Sequence, residues 1–82
     1  MSWPQSSATL RKLLVEQRVA SGLSQAEFAS RLGRPQAFVS RLESGQRRLD
    51  VFEFVEIARA LGLDPVTLFA KSIKAVIEQN RP

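Results

Sequence analysis

The chain contains no cysteine and no histidine. Without cysteine there are no disulfide staples, no thiolate metal sites and no sulfur nucleophile. Without histidine the usual general base, proton shuttle and imidazole ligand are missing as well. Tyrosine is also absent, and the eight Asp and Glu residues are scattered. Eighty-two residues make one small domain and leave no room for a second core. A catalyst would have to work with Ser, Lys, Asp and Glu on a scaffold too small to enclose a substrate easily. No glycine-rich phosphate loop or cluster of metal-ligand type is present, so we assign no catalytic residue, no metal and no cofactor. No apolar run approaches the ~20 residues that span a bilayer. Met1 to Leu10 carries no basic stretch leading into an apolar one, so no secretory leader and a cytoplasmic location are expected. Hydrophobic residues at 44% and charged ones at 24% describe a globular chain rather than a disordered one.

What the chain has in excess is arginine. Lys and Arg number twelve against eight acids, a formal charge of +4, and nine of the twelve are arginine. On a small chain this balance points to an anionic partner, most often nucleic acid.

Glycine and proline punctuate the sequence. Residues 1–7 read as a frayed tail. From Ala8 to Ser21 there is neither Gly nor Pro, with Leu10, Leu13 and Leu14 at helical spacing, and Gly22 suits a left-handed stop. Ser24 and Glu27 form the S-x-x-E pattern of a capping box, opening a second helix at Gln25 that Gly33 ends. Pro35 suits the first turn of a third helix, which runs to Ser44 before Gly45. Asp50 caps a fourth helix over 51–61, with Val51, Phe54, Val55, Ala58 and Leu61 along one stripe. Gly62 closes it, and Asp64-Pro65 opens a fifth helix toward Asn80. No stretch alternates with period two, so the expected fold class is all-α, with five helices and short connections.

The second and third helices carry the functional signal. Gln25–Leu32, Gly33-Arg34-Pro35 and Gln36–Ser44 read as helix, tight turn, helix. Ala29 sits where the two helices cross, Gly33 supplies a positive φ, and Val39 and Leu42 bury one face of the third helix. The spacing is that of a helix-turn-helix. At about 100° per residue, Gln36, Ala37, Ser40, Arg41 and Ser44 fall on the opposite face. That face offers an amide, a methyl, hydroxyls and a guanidinium, and no carboxylate. Gln can read adenine N6 and N7, Arg can read guanine O6 and N7, and Ala can touch a thymine methyl. Nine residues at 1.5 Å each make a helix of about 14 Å, suited to a major groove ~12 Å wide.

Leu23-Ser24-Gln25-Ala26-Glu27-Phe28-Ala29, Arg31-Leu32-Gly33, Gln36, Val39 through Gly45 and Ala58 through Leu63 together resemble the Cro/C1-type (Xre-family) helix-turn-helix proteins. The likeness extends from about Leu10 to Phe69. It implies a five-helix, lambda-repressor-like domain that binds operator DNA as a two-fold dimer, with the third helix as recognition helix. Carried over by position, it makes Gln25 a phosphate contact that also braces Gln36. It makes Gln36, Ala37 and Arg41 base readers, with Ser40 beside them, and Arg18 and Glu43 an ion pair tying the first helix to the third. Two residues depart from the family pattern. Pro35 stands where Ser or Thr is usual, which removes a side-chain cap, and Gln17 stands where an apolar residue is usual.

Arg31, Arg34, Arg41, Arg47 and Arg48 lie close together in sequence with Glu43 as the one acid among them. Beside a helix-turn-helix, Arg47 and Arg48 read as phosphate contacts, with Arg34 and Ser44 in the same role. The plainer alternative is a solvated face for the arginines, Ser40 and Ser44, and the ordinary polarity of a helix start for Gln25 and Gln36. Phe38, between the core stripe and the outward face, is expected to pack against the loop and fourth helix, and Glu53 and Glu56 to form a solvated acidic face. On the fifth helix Val66, Phe69, Ala70, Ile73, Val76 and Ile77 form a stripe. It either folds back on the domain or, as we expect for Phe69, Ile73, Val76 and Ile77, forms a dimer interface. The expected organisation is therefore a tail at 1–7, a DNA-binding domain at 8–69 and a dimerising extension at 70–82. The expected function is a DNA-binding transcriptional regulator, a homodimeric repressor on double-stranded DNA with a palindromic site. The rival is an antitoxin or restriction-modification controller whose C-terminal helix binds another protein.

Overall fold

The computed structural model describes residues 3–79 of the chain. They form five helices: α1 (Trp3–Ala20), α2 (Gln25–Leu32), α3 (Gln36–Ser44), α4 (Val51–Ala60) and α5 (Pro65–Gln79). There is no strand among the described residues, so the all-α class holds. Helix α1 starts at Trp3, ahead of the Ala8 start expected from composition. Pro4 is compatible with this because it stands in the first turn, where its missing N–H has no intrahelical partner. Residues 1 and 2, and Asn80 at the expected end of the fifth helix, lie outside the described residues.

Local chemistry sets the helix boundaries. At α2 the Glu27 amide donates to Ser24 Oγ at 3.1 Å and the Ser24 amide donates to Glu27 Oε1 at 3.2 Å, a complete capping box. Asp50 and Glu53 make a second one at α4, at 2.8 and 3.1 Å. Asp64 receives the amide and hydroxyl of Thr67 at the start of α5. Pro35 differs from expectation: it is the N-cap of α3 rather than its first helical residue, in extended conformation and with no side-chain cap. Gly33 and Gly45 end α2 and α3 with φ of 67° and 84°, a region where a Cβ is strained.

The core forms where the helices cross. Ala29 and Phe28 from α2, Val39 and Leu42 from α3, Leu14 from α1, and Phe54, Ile57 and Ala58 from α4 are all buried together. Each large side chain contributes about 1.5–3 kcal/mol by leaving water. The register of α4 differs from the expected stripe. Ile57 is 1% exposed whereas Val51 is 66% exposed, because the inward line of α4 runs through Phe54, Ile57, Ala58 and Leu61 and leaves Val51 at its edge. Glu53 is likewise buried rather than solvated.

Helix α5 lies against α1 and α4, and Thr9 is hydrogen-bonded to Gln79 across the α1–α5 contact. Its inward side is Leu68 and Ser72, with the Ser72 hydroxyl satisfied by the Leu68 carbonyl at 2.7 Å. Phe69, Ile73 and Ile77 face outward. Val76, expected with them, is half-buried and turns toward Leu10, Leu14 and Leu49. No described helix is long and apolar enough to cross a membrane.

Gly33 and Gly45, two of the four positive-φ glycines, should respond differently to alanine. Around Gly33 the space is open, so Gly33→Ala should cost only the backbone strain, about 1–2 kcal/mol. A Cβ at Gly45 would stand 2.9 Å from Arg11 Cζ and would push that guanidinium off the Ser7 hydroxyl it bonds at 3.0 Å. Urea unfolding should therefore show the larger loss for Gly45→Ala. Equal losses would mean that Arg11 contributes nothing where it lies.

Candidate nucleic-acid interface

Helices α2 and α3 are joined by a turn that satisfies its own backbone. The amides of Gly33 and Arg34 donate to the carbonyls of Ser30 and Ala29 at 3.1 and 3.0 Å. On α3 Val39 is 0% exposed, and Leu42 and Phe38 are also buried. These anchors turn Gln36, Ala37, Ser40, Arg41 and Ser44 to the surface, and all five are exposed. The side chains of Gln36, Ser40 and Arg41 make no hydrogen bond to another described residue. Ser44 Oγ donates to the Arg41 carbonyl at 3.2 Å. Gln36, Ser40 and Arg41 thus stand exposed on one face of α3, with Ala37 and Ser44 beside them.

Glu43 ties three helices together. It accepts from Arg18 Nε at 2.7 Å and from the second Arg18 amino group at 3.1 Å. Arg18 in turn donates to the Leu23 carbonyl at 2.7 Å. The expected pair is therefore formed, and both side chains are largely shielded from water. Gln25 donates to Glu43 Oε1 at 2.9 Å. This differs from the expected brace to Gln36, because the paired carboxylate is the stronger acceptor within reach.

The expected phosphate contacts are arranged differently from a row of free arginines. Arg31 donates to the Ala60 carbonyl at 3.2 Å. Arg47 makes a two-armed bond to Glu53 at 2.8 and 2.6 Å, and Arg34 reaches Glu53 at 3.5 Å and Glu56 at 3.4 Å. Both guanidinium groups pack over the ring of Phe38, at 4.4 Å for Arg34 and 4.5 Å for Arg47. Arg34 and Arg47 are therefore engaged within the chain with about a third of each side chain still exposed, and Arg48 is exposed as well. Phe38 packs on the loop side as expected. Its two cationic neighbours were not foreseen, and neither was Glu53. The only available signal was the D-x-x-E spacing of Asp50 and Glu53, which marks a capping box and says nothing about arginine.

Hydrogen bonds from Arg47 hold the Glu53 carboxyl down at about 2, against a usual 4.5. Burial opposes them, and the Asp50 amide and the charges of Arg47 and Arg34 assist.

A helix-turn-helix family model matches residues 14–68, two-thirds of the chain. Among solved structures, an XRE-family-like protein from Pseudomonas syringae pv. tomato str. DC3000 is 46% identical over 87% of both chains, with a TM-score of 0.81. The protein belongs to the XRE family of helix-turn-helix proteins. The wild-type restriction-modification controller protein C.Esp1396I superposes with a TM-score of 0.80 over 95% of this chain and 99% of its own, at 19% identity. The tetramer of that controller with its natural 35-base-pair operator matches with a TM-score of 0.79, also at 19% identity, over 94% and 99%. At such identity the controllers share the fold alone. No curated protein sequence matches the chain. For this XRE-family chain, the matched region spans the α2–α3 unit, the Glu43 junction and the Glu53 cluster, and it ends before Phe69.

Because the folded value of Glu53 lies below the ordinary one, its contribution to stability is complete above about pH 4.5 and is lost as pH falls toward 2. Glu53→Gln should therefore melt below the parent at neutral pH, with the gap closing as the parent is acidified from 4.5 toward 2. A gap that stays constant across that range would show that the carboxylate is not held by Arg47.

Proposed function

We propose that the chain is a sequence-specific, double-stranded-DNA-binding transcriptional regulator, a repressor acting as a homodimer on a palindromic operator. The observation that carries this reading is the exposed Gln36, Ala37, Ser40 and Arg41 face, turned outward by buried Val39 and Leu42. Inserted in a major groove, Gln36 and Arg41 would meet base edges and Ala37 a thymine methyl. Arg48, Ser44 and Gln25 would set register on the phosphates. Arg18 and Glu43 would hold the recognition helix at its angle.

A homodimer is supported by an apolar surface that the monomer leaves open. Phe69, Ile73 and Ile77 recur every four residues along α5. They adjoin an apolar groove lined by Val51, Phe54, Val55 and Val66, and nearby Phe52 is 81% exposed. Pairing two copies through this surface would present two recognition helices about one turn of DNA apart, ~34 Å. The surface belongs to Phe69, Ile73 and Ile77 rather than to Val76, which turns inward. The same exposed surface supports the second reading, a controller or antitoxin-type protein that docks another chain on α5. The fold likeness to the C.Esp1396I operator complex favours the DNA-binding side of either reading.

Selecting bound sites from a random duplex pool tests the reading, and a two-fold symmetric consensus is the expected result. On the selected duplex Arg41→Ala should cost about 1–3 kcal/mol and relax preference at one base position. Arg48→Ala should weaken every duplex alike and flatten the salt dependence by about one unit of slope. Equal loss on all duplexes for Arg41→Ala removes its role as reader. Ile73→Glu should convert the dimer to monomer in sedimentation equilibrium. An unchanged mass would place the interface elsewhere, and co-purification of α5 with a chain of different mass would favour the second reading.

A further inference from the structure

We propose that Glu53 sets the selectivity of the DNA interface by holding Arg34 and Arg47 on Phe38, where their charge is withheld from unrelated duplexes. This inference rests on the DNA-binding reading above and deepens it.

Four residues from four successive parts of the chain converge here. Phe38 is in the first turn of α3, next to the outward Ala37. Arg34 lies in the turn before α3, Arg47 in the loop after it, and Glu53 in the first turn of α4. Glu53 is 7% exposed. Its carboxylate takes both arms of Arg47, the Asp50 amide and the charge of Arg34 at once. The arginine side chains remain about one-third exposed, so they flank the reading face without being sealed from it.

Charge at this place has a definite consequence for binding. An arginine free beside the recognition helix neutralises a phosphate on any duplex, adding affinity that carries no sequence information. Selectivity is the difference between two affinities, so it improves when the indiscriminate one is lowered. Pairing both arginines with the shielded Glu53 carboxylate, and Arg34 with Glu56 besides, lowers it. The same clamp packs both guanidinium groups on the Phe38 ring, in the first turn of the helix that carries Gln36 and Arg41. Glu53 touches no base and no phosphate in this scheme and is a positioning residue. Lysine could not reproduce the bond of Arg47, since two arms on one carboxylate need a guanidinium.

The test compares the parent and Glu53→Gln on a duplex selected from a random pool and on its scrambled version, at several salt concentrations. With the clamp open, affinity for the scrambled duplex should rise about tenfold at low salt, and its log–log salt slope should steepen by about 1–2. Affinity for the selected duplex should rise far less, so the ratio between the two falls several-fold. Adding Arg47→Ala to Glu53→Gln should return about one unit of slope. A merely structural Glu53 would lower both affinities together with the slope unchanged, and that result overturns the proposal. A second arm does not depend on Glu53→Gln folding. Arg34→Gln and Arg47→Gln in the otherwise intact chain should leave the scrambled-duplex slope where it was. A loss of about one unit from either would show that its charge already lies on DNA, and would equally overturn the clamp. Failure of the underlying reading looks different. A parent that binds selected and scrambled duplexes alike refutes sequence-specific binding, whereas the slope on the scrambled duplex still reports the clamp. A parent that binds no duplex at any salt refutes both.

Discussion

Helix α3 is held by one constraint on which everything else depends. Val39 and Leu42 are driven inward by burial, and the Glu43 carboxylate at the far end of the helix is bound by Arg18 and Gln25. Apolar burial chooses which face points down but has no directional preference of its own. Charge-assisted hydrogen bonds do have one, and those at Glu43 fix how far α3 is rotated and how it sits against α1 and α2. The outward residues inherit their placement from both effects. None of them has to contribute to the fold, which leaves Gln36, Ser40 and Arg41 with their polar groups unspent inside the chain.

Much of this arrangement could be read from the sequence because it is local. The Ser24–Glu27 box, the positive-φ glycines and the angular placement of α3 depend on residues within a few positions of one another, where spacing decides geometry. The Arg18–Glu43 pair spans 25 positions and was reached by resemblance, since no periodicity connects two residues so distant. Glu53 shows where such reading stops. A carboxylate at the third position of a helix that begins with Asp looks like half of a capping box, which it is. That it also collects two arginines from either side of α3 follows only from the way α4 lies across the turn.

The differences along α4 and α5 have a common cause. An amphipathic stripe gives the period but not its phase to within one neighbour, and the phase is set by which face the packed helices cover. Val51 falls on the apolar stripe of α4 but at its open edge, on the groove shared with α5, so Ile57 carries the packing. On α5, Leu68 and Ser72 face the domain, which puts Val76 inside and leaves Phe69, Ile73 and Ile77 outside. A buried serine on that inward line hid the true phase, because its hydroxyl is satisfied by its own helix and it behaves as a small core residue. At α1, Pro4 reads as a break within a tail, yet it is acceptable in a first turn.

The separation between what anchors α3 and what α3 displays bears on how such a chain can change over generations. Positions 36, 37, 40 and 41 are exposed, and new side chains there neither open a cavity nor strand a buried charge. Positions 34, 38, 47 and 53 touch one another, so a change at one leaves the other three mismatched. Under the reading proposed above, drift in the displayed set explores new target sites in single steps. The interlocked set can alter only through concerted replacements, and lineages should therefore diversify in what they recognise much faster than in how the recognising helix is held.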